Sequence, residues 1–248
     1  MNEAALNETT VCVLFGGVST EYQISLRSAY NVIDSLRKAG FQVVRVGIRP
    51  DGRWLLFSGS DSRINDGSWE NDADLRGDHT FSFCKEKAGG SSVRDFIEQT
   101  AGCIPDVIFP VIHGINCEDG TVQGLLELSG IPYVGCNVAS SALGMDKMLS
   151  RRIFRSAGIP VCKCISASRS RISKDLEGLK KEIARKLGYP CFLKPNNGGS
   201  SVGTCRVDSP DQLGSSLNDV SRFDDVTLIE EWIPAREIEI AVMGNDDP

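Results

Sequence analysis

The apolar residues change their spacing along the chain, and the spacing predicts alternating strands and helices. A short apolar run over residues 11–15 ends in a pair of glycines, and apolar residues with helical spacing follow over 26–36. Residues 41–48 form a second apolar run. A strand, a glycine turn, a helix and another strand, in this order, predict the start of a parallel α/β sheet. Ligands of such sheets bind at the carboxyl ends of the strands.

Three short segments share a helix-ending pattern, in which a proline stands two residues after a glycine. They are residues 130–132, 158–160 and 188–190. The glycine supplies a left-handed cap past the helix end, and the proline keeps the helix from continuing. The pattern therefore predicts alternating helices and strands over 105–195. In contrast, the polar residues 58–92 are interpreted as an irregular insertion or a long surface loop.

The chain after residue 190 is predicted to form strands and one helix around a glycine-rich loop. The strands cover 191–194, 204–207 and 226–231, the helix covers about 209–221, and the loop covers 195–203. Apolar and polar residues then alternate over 237–243, which predicts a last strand with one buried face. A turn-forming sequence follows without a returning strand, so we expect an unpaired strand edge and a chain that stops before its fold is complete.

Composition fits a globular protein with room for two domains. Of 248 residues, 41% are hydrophobic and 24% charged, and the formal net charge of −6 argues against nucleic acid as the main partner. We find neither a signal peptide nor the roughly 18 apolar residues of a membrane-spanning helix, so we expect a cytoplasmic protein without a membrane partner. Nine cysteines without a CxxC pair, with only two histidines, favour reduced thiols over a zinc site.

Two stretches could bind a nucleotide. Lys194 precedes the loop 195–203, whose glycines and hydroxyls can surround phosphate oxygens, although such a loop can also be a plain turn. Glu230 and Glu231 end the strand 226–231, where carboxylates can bind a base or ribose or can simply face solvent.

Two further stretches could bind an anionic or amino-acid ligand. His113 and the residues after it lie between a predicted strand and a predicted helix, a position that suits an anion. Glu118 and Asp119 can alternatively favour the helix dipole there. Glu21 is equally ambiguous, because Thr20 and Gln23 can form part of a helix-capping box around it.

In their order and spacing, five motifs resemble those of D-alanine–D-alanine ligases of the ATP-grasp kind. They are the first glycine loop at 16–21, the histidine–glycine motif at 113–124, Met145-Asp146-Lys147, the lysine and glycine-rich loop at 194–203, and the adenine-contact strand at 228–233. The resemblance covers nearly the whole chain except 58–92. It implies an α/β fold with a Rossmann-like N-terminal domain (1–146), a central ATP-grasp domain (147–234) and the start of a mostly missing third domain (235–248).

The resemblance also implies an activity and a set of site residues. Such enzymes use ATP to join two D-alanines through an acyl phosphate, which supplies the peptidoglycan precursor D-alanyl-D-alanine. Glu21 would hold the ammonium of the first D-alanine, and His113 would lie near its carboxylate. Ser200 would bond to Glu21, which makes these two the catalytic candidates. The residues expected to bind ATP are Lys147, Lys194, Ser200, Ser201, Glu230, Glu231, Ile233 and Glu237.

The sequence departs from the family pattern and leaves alternatives open. Cys117 stands where the family usually has glycine. The ligands for Mg²⁺ or Mn²⁺ are expected beyond Pro248, so we expect the 248-residue chain alone to be inactive. A ligase that takes D-serine or D-lactate second, or an inactive nucleotide-binding fragment, remains an alternative. The family suggests a homodimer.

Overall fold

The computed structural model describes residues 8–71, 75–79 and 92–244, and of 75–79 it describes the backbone alone. The chain forms two compact units. The first contains the described residues up to Ile153 together with Asn196–Val202, and the second contains Phe154–Pro195 and the residues from Gly203 onward. The division into three domains at residues 146 and 234 stays a prediction.

The first unit is built on a five-stranded mixed sheet. Its strands are β1 (Thr10–Gly16), β2 (Gln42–Ile48), β3 (Trp54–Phe57), β4 (Leu75–His79) and β5 (Val107–Ile112), in the spatial order β4-β3-β2-β1-β5. Strand β1 runs parallel to β2 and β5, which confirms the predicted start of a parallel sheet. Strand β3 pairs antiparallel with β2 and β4, and neither β3 nor β4 was predicted.

Helices cover both faces of this sheet. They are α1 (Tyr22–Lys38), α2 (Ser62–Asn65), a 3-10 turn (Ser68–Asn71), α3 (Val93–Ala101) and α4 (Thr121–Ser129). Two more helices, α5 (Val138–Met145) and α6 (Lys147–Ser156), follow along the chain. Side chains of β1 alternate between the faces, so that Cys12 and Leu14 pack in one core and Val13 and Phe15 in the other. Because both faces are buried, the strand has a continuous apolar sequence.

The interpretation of residues 58–92 as irregular is wrong for Ser62–Asn65, Ser68–Asn71 and Leu75–His79, which form α2, the 3-10 turn and β4. Both Ile64 and Trp69 are fully buried. The Trp69 indole packs edge-on against the rings of Phe15 and Phe57, with centroids 4.9 and 6.1 Å apart. Two apolar residues in a polar stretch leave no periodic pattern, which is why the segment looked like a loop. Residues 72–74 and 80–91 lie outside the described part.

The second unit is an antiparallel sheet with helices packed on it. Its strands are β6 (Cys164–Ser168), β7 (Cys191–Pro195), β8 (Cys205–Val207) and β9 (Val226–Glu231), in the order β6-β9-β7-β8. The helices are α7 (Arg169–Lys174), α8 (Leu176–Lys186) and α9 (Pro210–Val220), and the core includes the fully buried Leu179, Ile183 and Ile229. The strands and helix predicted between 191 and 231 are confirmed to within one or two residues.

The three helix-ending patterns are confirmed as caps. Gly130, Gly158 and Gly188 adopt left-handed backbones, with φ of 65°, 77° and 77°, and follow α4, α6 and α8. Strands β6 and β7 come after the second and third. Only an isolated bridge between Tyr133 and Ile108 follows the first, so the expected strand is absent there.

The predicted last strand is also wrong. Residues 232–244 have no regular secondary structure, and the apolar residues meant for a buried face are open to solvent, with Ile238 65% and Ile240 81% exposed. Alternation marks a strand only where a neighbour supplies backbone partners and covers one face. No strand in the described part of the chain pairs with this segment.

Candidate functional site

Glu21 lies where the first glycine loop meets α1. It precedes the helix directly, and its carboxylate makes no capping hydrogen bond to the helix backbone. Its N–H donates to Ser19 Oγ at 3.1 Å, and its carbonyl accepts from the N–H groups of Ile24 and Ser25. Glu21 is only 5% exposed. The backbone therefore fixes Glu21 while leaving its carboxylate available for other partners, so the suggested capping role does not account for this side chain.

The hydroxyl of Ser200 donates a hydrogen bond to Glu21 Oε1, across 179 residues of sequence. The contact expected from the family resemblance is therefore present, within the first unit. Ser200 and its neighbour Ser201 have positive φ values of 46° and 57°, which are uncommon for residues with a side chain. Backbone strain of this kind concentrates at ligand-binding loops. The catalytic roles of Glu21 and Ser200 stay predictions.

Glycine backbone closes around the Glu21 carboxylate. A Cβ placed on Gly114 would lie 2.5 Å from Glu21 Oε2 and 2.5 Å from Ser19 Oγ, and one on Gly199 would lie 3.1 Å from the same Oε2. Sequence reasoning assigned no role to these two glycines, although both stand in motifs that it singled out. A buried carboxylate between close walls, with a hydroxyl donor, is suited to a compact cation such as an ammonium group.

His113, at the carboxyl end of β5, forms a charge pair with Glu118. The two side chains approach to 3.8 Å between Nδ1 and Oε1, and Glu118 Oε2 accepts from the Gly114 N–H at 2.8 Å. Interaction with Glu118 raises the pKa of His113, against partial burial, and the charge of Glu21 adds to the rise. In turn His113 lowers the pKa of Glu118. Sequence reasoning gave Glu118 only a helix-dipole role, whereas the structure shows that it holds the turn after β5.

A cavity of about 480 Å³ opens beside this pair, inside the first unit. Its lining includes His113, Glu118, Cys117 and Lys147, together with Gly198 and Gly199 of the glycine-rich loop. Burial raises the pKa of the Cys117 thiol to about 12, with the nearby carboxylates adding to the rise. The thiol is therefore a neutral packing group at ordinary pH.

Lys147 begins α6 and ties the glycine-rich loop to that helix. Its ammonium donates to the carbonyl of Gly198 at 2.7 Å and to that of Asn196 at 3.4 Å. The Asn196 side chain in turn accepts from the N–H of Met148 at 3.0 Å. Lys147 therefore brings a positive charge to the loop that was predicted to bind phosphates.

The other predicted nucleotide residues lie in the second unit. Lys194 Nζ is 2.9 Å from Glu230 Oε2, and the Glu230 side chain is only 6% exposed. Glu231 instead accepts from the Lys163 N–H at 2.7 Å, and this bond lowers the pKa of Glu231. Glu230 thus faces inward, and Glu231 is engaged in holding two strands together. Ile233 and Glu237 are exposed on the segment without regular structure.

The described residues form neither a cluster of metal ligands nor a membrane-spanning helix. Within residues 8–71, 75–79 and 92–244, no three His, Cys, Asp or Glu side chains come together as a metal site. Over the same residues, no helix is both long and apolar enough to span a membrane.

Ligases of known structure share this fold, so the chain has the expected ATP-grasp ligase architecture. The VanG D-Ala:D-Ser ligase from Enterococcus faecalis matches with a TM-score of 0.73 and 35% identity, over 91% of this chain and 63% of that one. The D-alanine-D-alanine ligase from Coxiella burnetii matches with a TM-score of 0.76 and 30% identity, over 92% and 65%.

The sequence comparisons narrow this class to one family. Family models for the D-ala D-ala ligase N-terminus and C-terminus match residues 10–136 and 153–248. The chain belongs to the D-alanine–D-alanine ligase family. The D-alanine--D-alanine ligase of Acetivibrio thermocellus is 42% identical, covering 96% of this chain and 65% of the relative, and that of a Thermoanaerobacter species is 43% identical, covering 98% and 66%. The chain thus spans about 65% of the length of these relatives.

Proposed function

We propose that the protein is an ATP-dependent D-alanine–D-alanine ligase. The γ-phosphoryl group of ATP passes to the carboxylate of one D-alanine, which gives an acyl phosphate and ADP. The amine of a second D-alanine then attacks the acyl carbon, phosphate leaves, and the nitrogen loses a proton. The buried Glu21 carboxylate, held by the Ser200 hydroxyl, is the observation that carries the proposal. The curated relatives named for this activity support it.

In this proposal Glu21 holds the ammonium of the first D-alanine. The carboxylate has little exposure and close backbone on two sides, so an ammonium supplies the compensating charge that burial demands. The imidazole of His113 stays protonated over a wider pH range than an ordinary histidine, because Glu118 raises its pKa. A positive imidazole near Glu21 suits the carboxylate end of the same amino acid.

ATP is bound by two sets of residues in this proposal. Ser200, Ser201 and the backbone of the loop they stand on would contact phosphate oxygens, with Lys147 supplying charge. By resemblance to the family, Lys194 and Glu230 would also contact the nucleotide, with Glu231, Ile233 and Glu237 contributing through the backbone or the ribose. Phosphoryl transfer depends on positioning and charge neutralisation more than on covalent chemistry by the protein, and these residues supply both.

A divalent metal ion, Mg²⁺ or Mn²⁺, belongs to the family's use of ATP. When bound, it would neutralise the phosphate charge. The described residues do not fit a metal site, because they bring no ligand cluster together, and we assign no step to the ion. The small-molecule partners proposed are D-alanine and ATP, with neither nucleic acid nor a membrane. We propose a homodimer acting in the cytoplasm.

A second candidate is a ligase that adds D-serine to D-alanine. The VanG D-Ala:D-Ser ligase is 35% identical to this chain, which is more than the 30% of the Coxiella burnetii D-alanine ligase. The described site residues concern the first amino acid, which both reactions share. D-lactate is tested as a third acceptor.

The test is a ligase assay on the protein at the full length of its reading frame. Phosphate release and ligated product are measured with D-alanine alone and with D-alanine plus D-serine, which give dipeptides, or plus D-lactate, which gives an ester. Glu21→Gln should raise the Michaelis constant for the first D-alanine by roughly 10–150-fold, since a hydrogen bond to a charged group contributes about 1.5–3 kcal/mol. Its ATP dependence should stay unchanged.

Glu98→Gln is the matched control, because Glu98 is exposed on α3. This variant should behave as wild type. Absence of any ligated product, or a Glu21→Gln variant that saturates with D-alanine as wild type does, would overturn the proposal. Faster product formation with D-serine than with D-alanine alone would replace it by the second candidate.

A further inference from the structure

We propose that Tyr22 is a positioning residue for amino-acid recognition, acting through a hydrogen bond to Glu70. This bond fixes the first turn of α1 and therefore the place of the Glu21 carboxylate. The inference rests on the proposed function, because it concerns the site for the first D-alanine. It gives a role to residues 68–71, which sequence reasoning left as part of an irregular insertion.

The phenol of Tyr22 is the centre of a polar network at the start of α1. Its hydroxyl donates to Glu70 Oε1 and accepts from the Trp69 indole N–H at 2.9 Å. The other oxygen of Glu70 accepts from Arg49 Nε at 3.0 Å. Burial and Glu70 together raise the pKa of Tyr22, which favours the neutral phenol that donates to Glu70.

The 3-10 turn that carries Glu70 is fixed by the packing of Trp69 in the core. Glu70 follows Trp69 in the 3-10 turn, and the Trp69 indole is fully buried against two aromatic rings of the core. A Cβ on Gly47 would overlap the indole ring, so the backbone of β2 approaches Trp69 as closely as a glycine permits. Glu70 is therefore held by the core of the unit, and its bond to Tyr22 transmits that position to α1.

Tyr22 is one of two polar anchors on the first turn of α1. The second is Ser25, whose hydroxyl donates to the Val111 carbonyl at the end of β5 and accepts from the Gly16 N–H at 2.8 Å. One anchor reaches β1 and β5, and the other reaches the 3-10 turn. Without the Tyr22 bond, Ser25 is the remaining polar anchor of this turn, beside the apolar packing of Leu26. Because Glu21 adjoins Tyr22, we expect loss of the bond to let its carboxylate shift relative to Ser200.

The experiment compares Tyr22→Phe with wild type in the full-length protein. Initial rates are measured against D-alanine, with separate constants for the first and second molecule, and against ATP. The constant for the first D-alanine should rise roughly tenfold, since small misplacements of a binding group are costly. The ATP constant should change less than twofold. Glu70→Leu should reproduce this result, and Glu70→Gln, which keeps an acceptor for the phenol, should restore most of the affinity.

Two controls separate positioning from general stability. Ile33→Val removes a methylene group from the buried face of α1 and leaves the bond between Tyr22 and Glu70 intact, so it should lower the melting temperature without changing the constant for D-alanine. Tyr30→Phe alters an exposed tyrosine of the same helix and should change neither.

The outcomes distinguish this inference from the proposed function. An unchanged D-alanine constant in Tyr22→Phe, while Glu21→Gln loses D-alanine use, shows that only the positioning role is wrong. An equal rise in Ile33→Val shows that lost stability, not the Tyr22 bond, causes the effect, and the inference fails. If wild type forms no ligated product, the proposed function is wrong and this inference falls with it.

Discussion

Replacing Gly114 by alanine tests the geometry of the Glu21 site more sharply than removing any charged group. The new methyl carbon would lie 2.5 Å from Glu21 Oε2, whereas ordinary van der Waals contact begins near 3.4 Å. The carboxylate or the backbone after β5 must therefore move by about 0.9 Å, since protein interiors are close-packed and leave little free space. The new methyl carbon would also lie 2.5 Å from Ser19 Oγ, so this hydroxyl must move as well.

Two separate effects set the expected magnitude. Gly114 has φ of +79°, so alanine there costs about 1–2 kcal/mol of backbone strain in the folded state. The displacement adds a functional loss, because a shift of about 1 Å in a binding group costs roughly a hundredfold in rate. Gly130 separates the two effects. Its φ is +65°, but a Cβ there meets nothing within 4 Å, so Gly130→Ala carries the strain without the displacement.

The assay measures thermal unfolding and initial rates for both variants. Both should lose stability by a similar amount, and Gly114→Ala somewhat more because its Glu21–Ser200 bond is disturbed. Only Gly114→Ala should lose about a hundredfold in kcat/KM for the first D-alanine. If it retains wild-type saturation with D-alanine, or if Gly130→Ala loses as much activity, the close fit around Glu21 does not govern substrate use.

Three further predictions concern other parts of the first unit. The pair of His113 and Glu118 should stabilise the fold fully between about pH 4.5 and 6.5. The stabilisation is lost as pH falls through the lowered pKa of Glu118 or rises through the raised pKa of His113. When the free energy of unfolding is measured from pH 3 to 9, Glu118→Gln should lack this contribution to the pH dependence. Lys147→Ala should raise the ATP constant roughly tenfold in initial-rate measurements, with little change for D-alanine, because charge is lost beside the loop. Trp69→Ala should lower the free energy of unfolding by about 3–5 kcal/mol in denaturant titrations.

Sequence periodicity predicted the elements whose burial is regular. Strand β1 and the elements from β7 to β9 were found within one or two residues, and helix α1 was found with its start four residues too late, because each buries apolar positions that repeat along the chain. Elements held by single buried side chains were missed, and Trp69 is the clearest example. The strand predicted at 237–243 was wrong for the opposite reason. Apolar and polar residues alternate there, but no strand of the described residues pairs with them.

For the site, residue types and their resemblance to a family predicted the contact between Glu21 and Ser200. No local pattern could reveal it, because the two residues are 179 positions apart and meet only through the tertiary fold. The roles of Gly114 and Glu118 were missed, since close backbone approach and a hydrogen bond to a turn leave no periodic signal. Tyr22 was passed over because its partner Glu70 lay in the segment interpreted as irregular.

The position of Glu21 explains why so many unrelated interactions concentrate at the start of α1. A buried carboxylate is costly unless it is hydrogen-bonded and paired with a positive charge. Glu21 is kept in place by its own helix backbone, by Ser200, and by the backbone wall at Gly114. The helix itself is held by Ser25 on the sheet side and by Tyr22 on the other. Fixing the backbone first leaves the carboxylate's interaction capacity for the ammonium group that we propose it binds, which is the arrangement that preorganised binding requires.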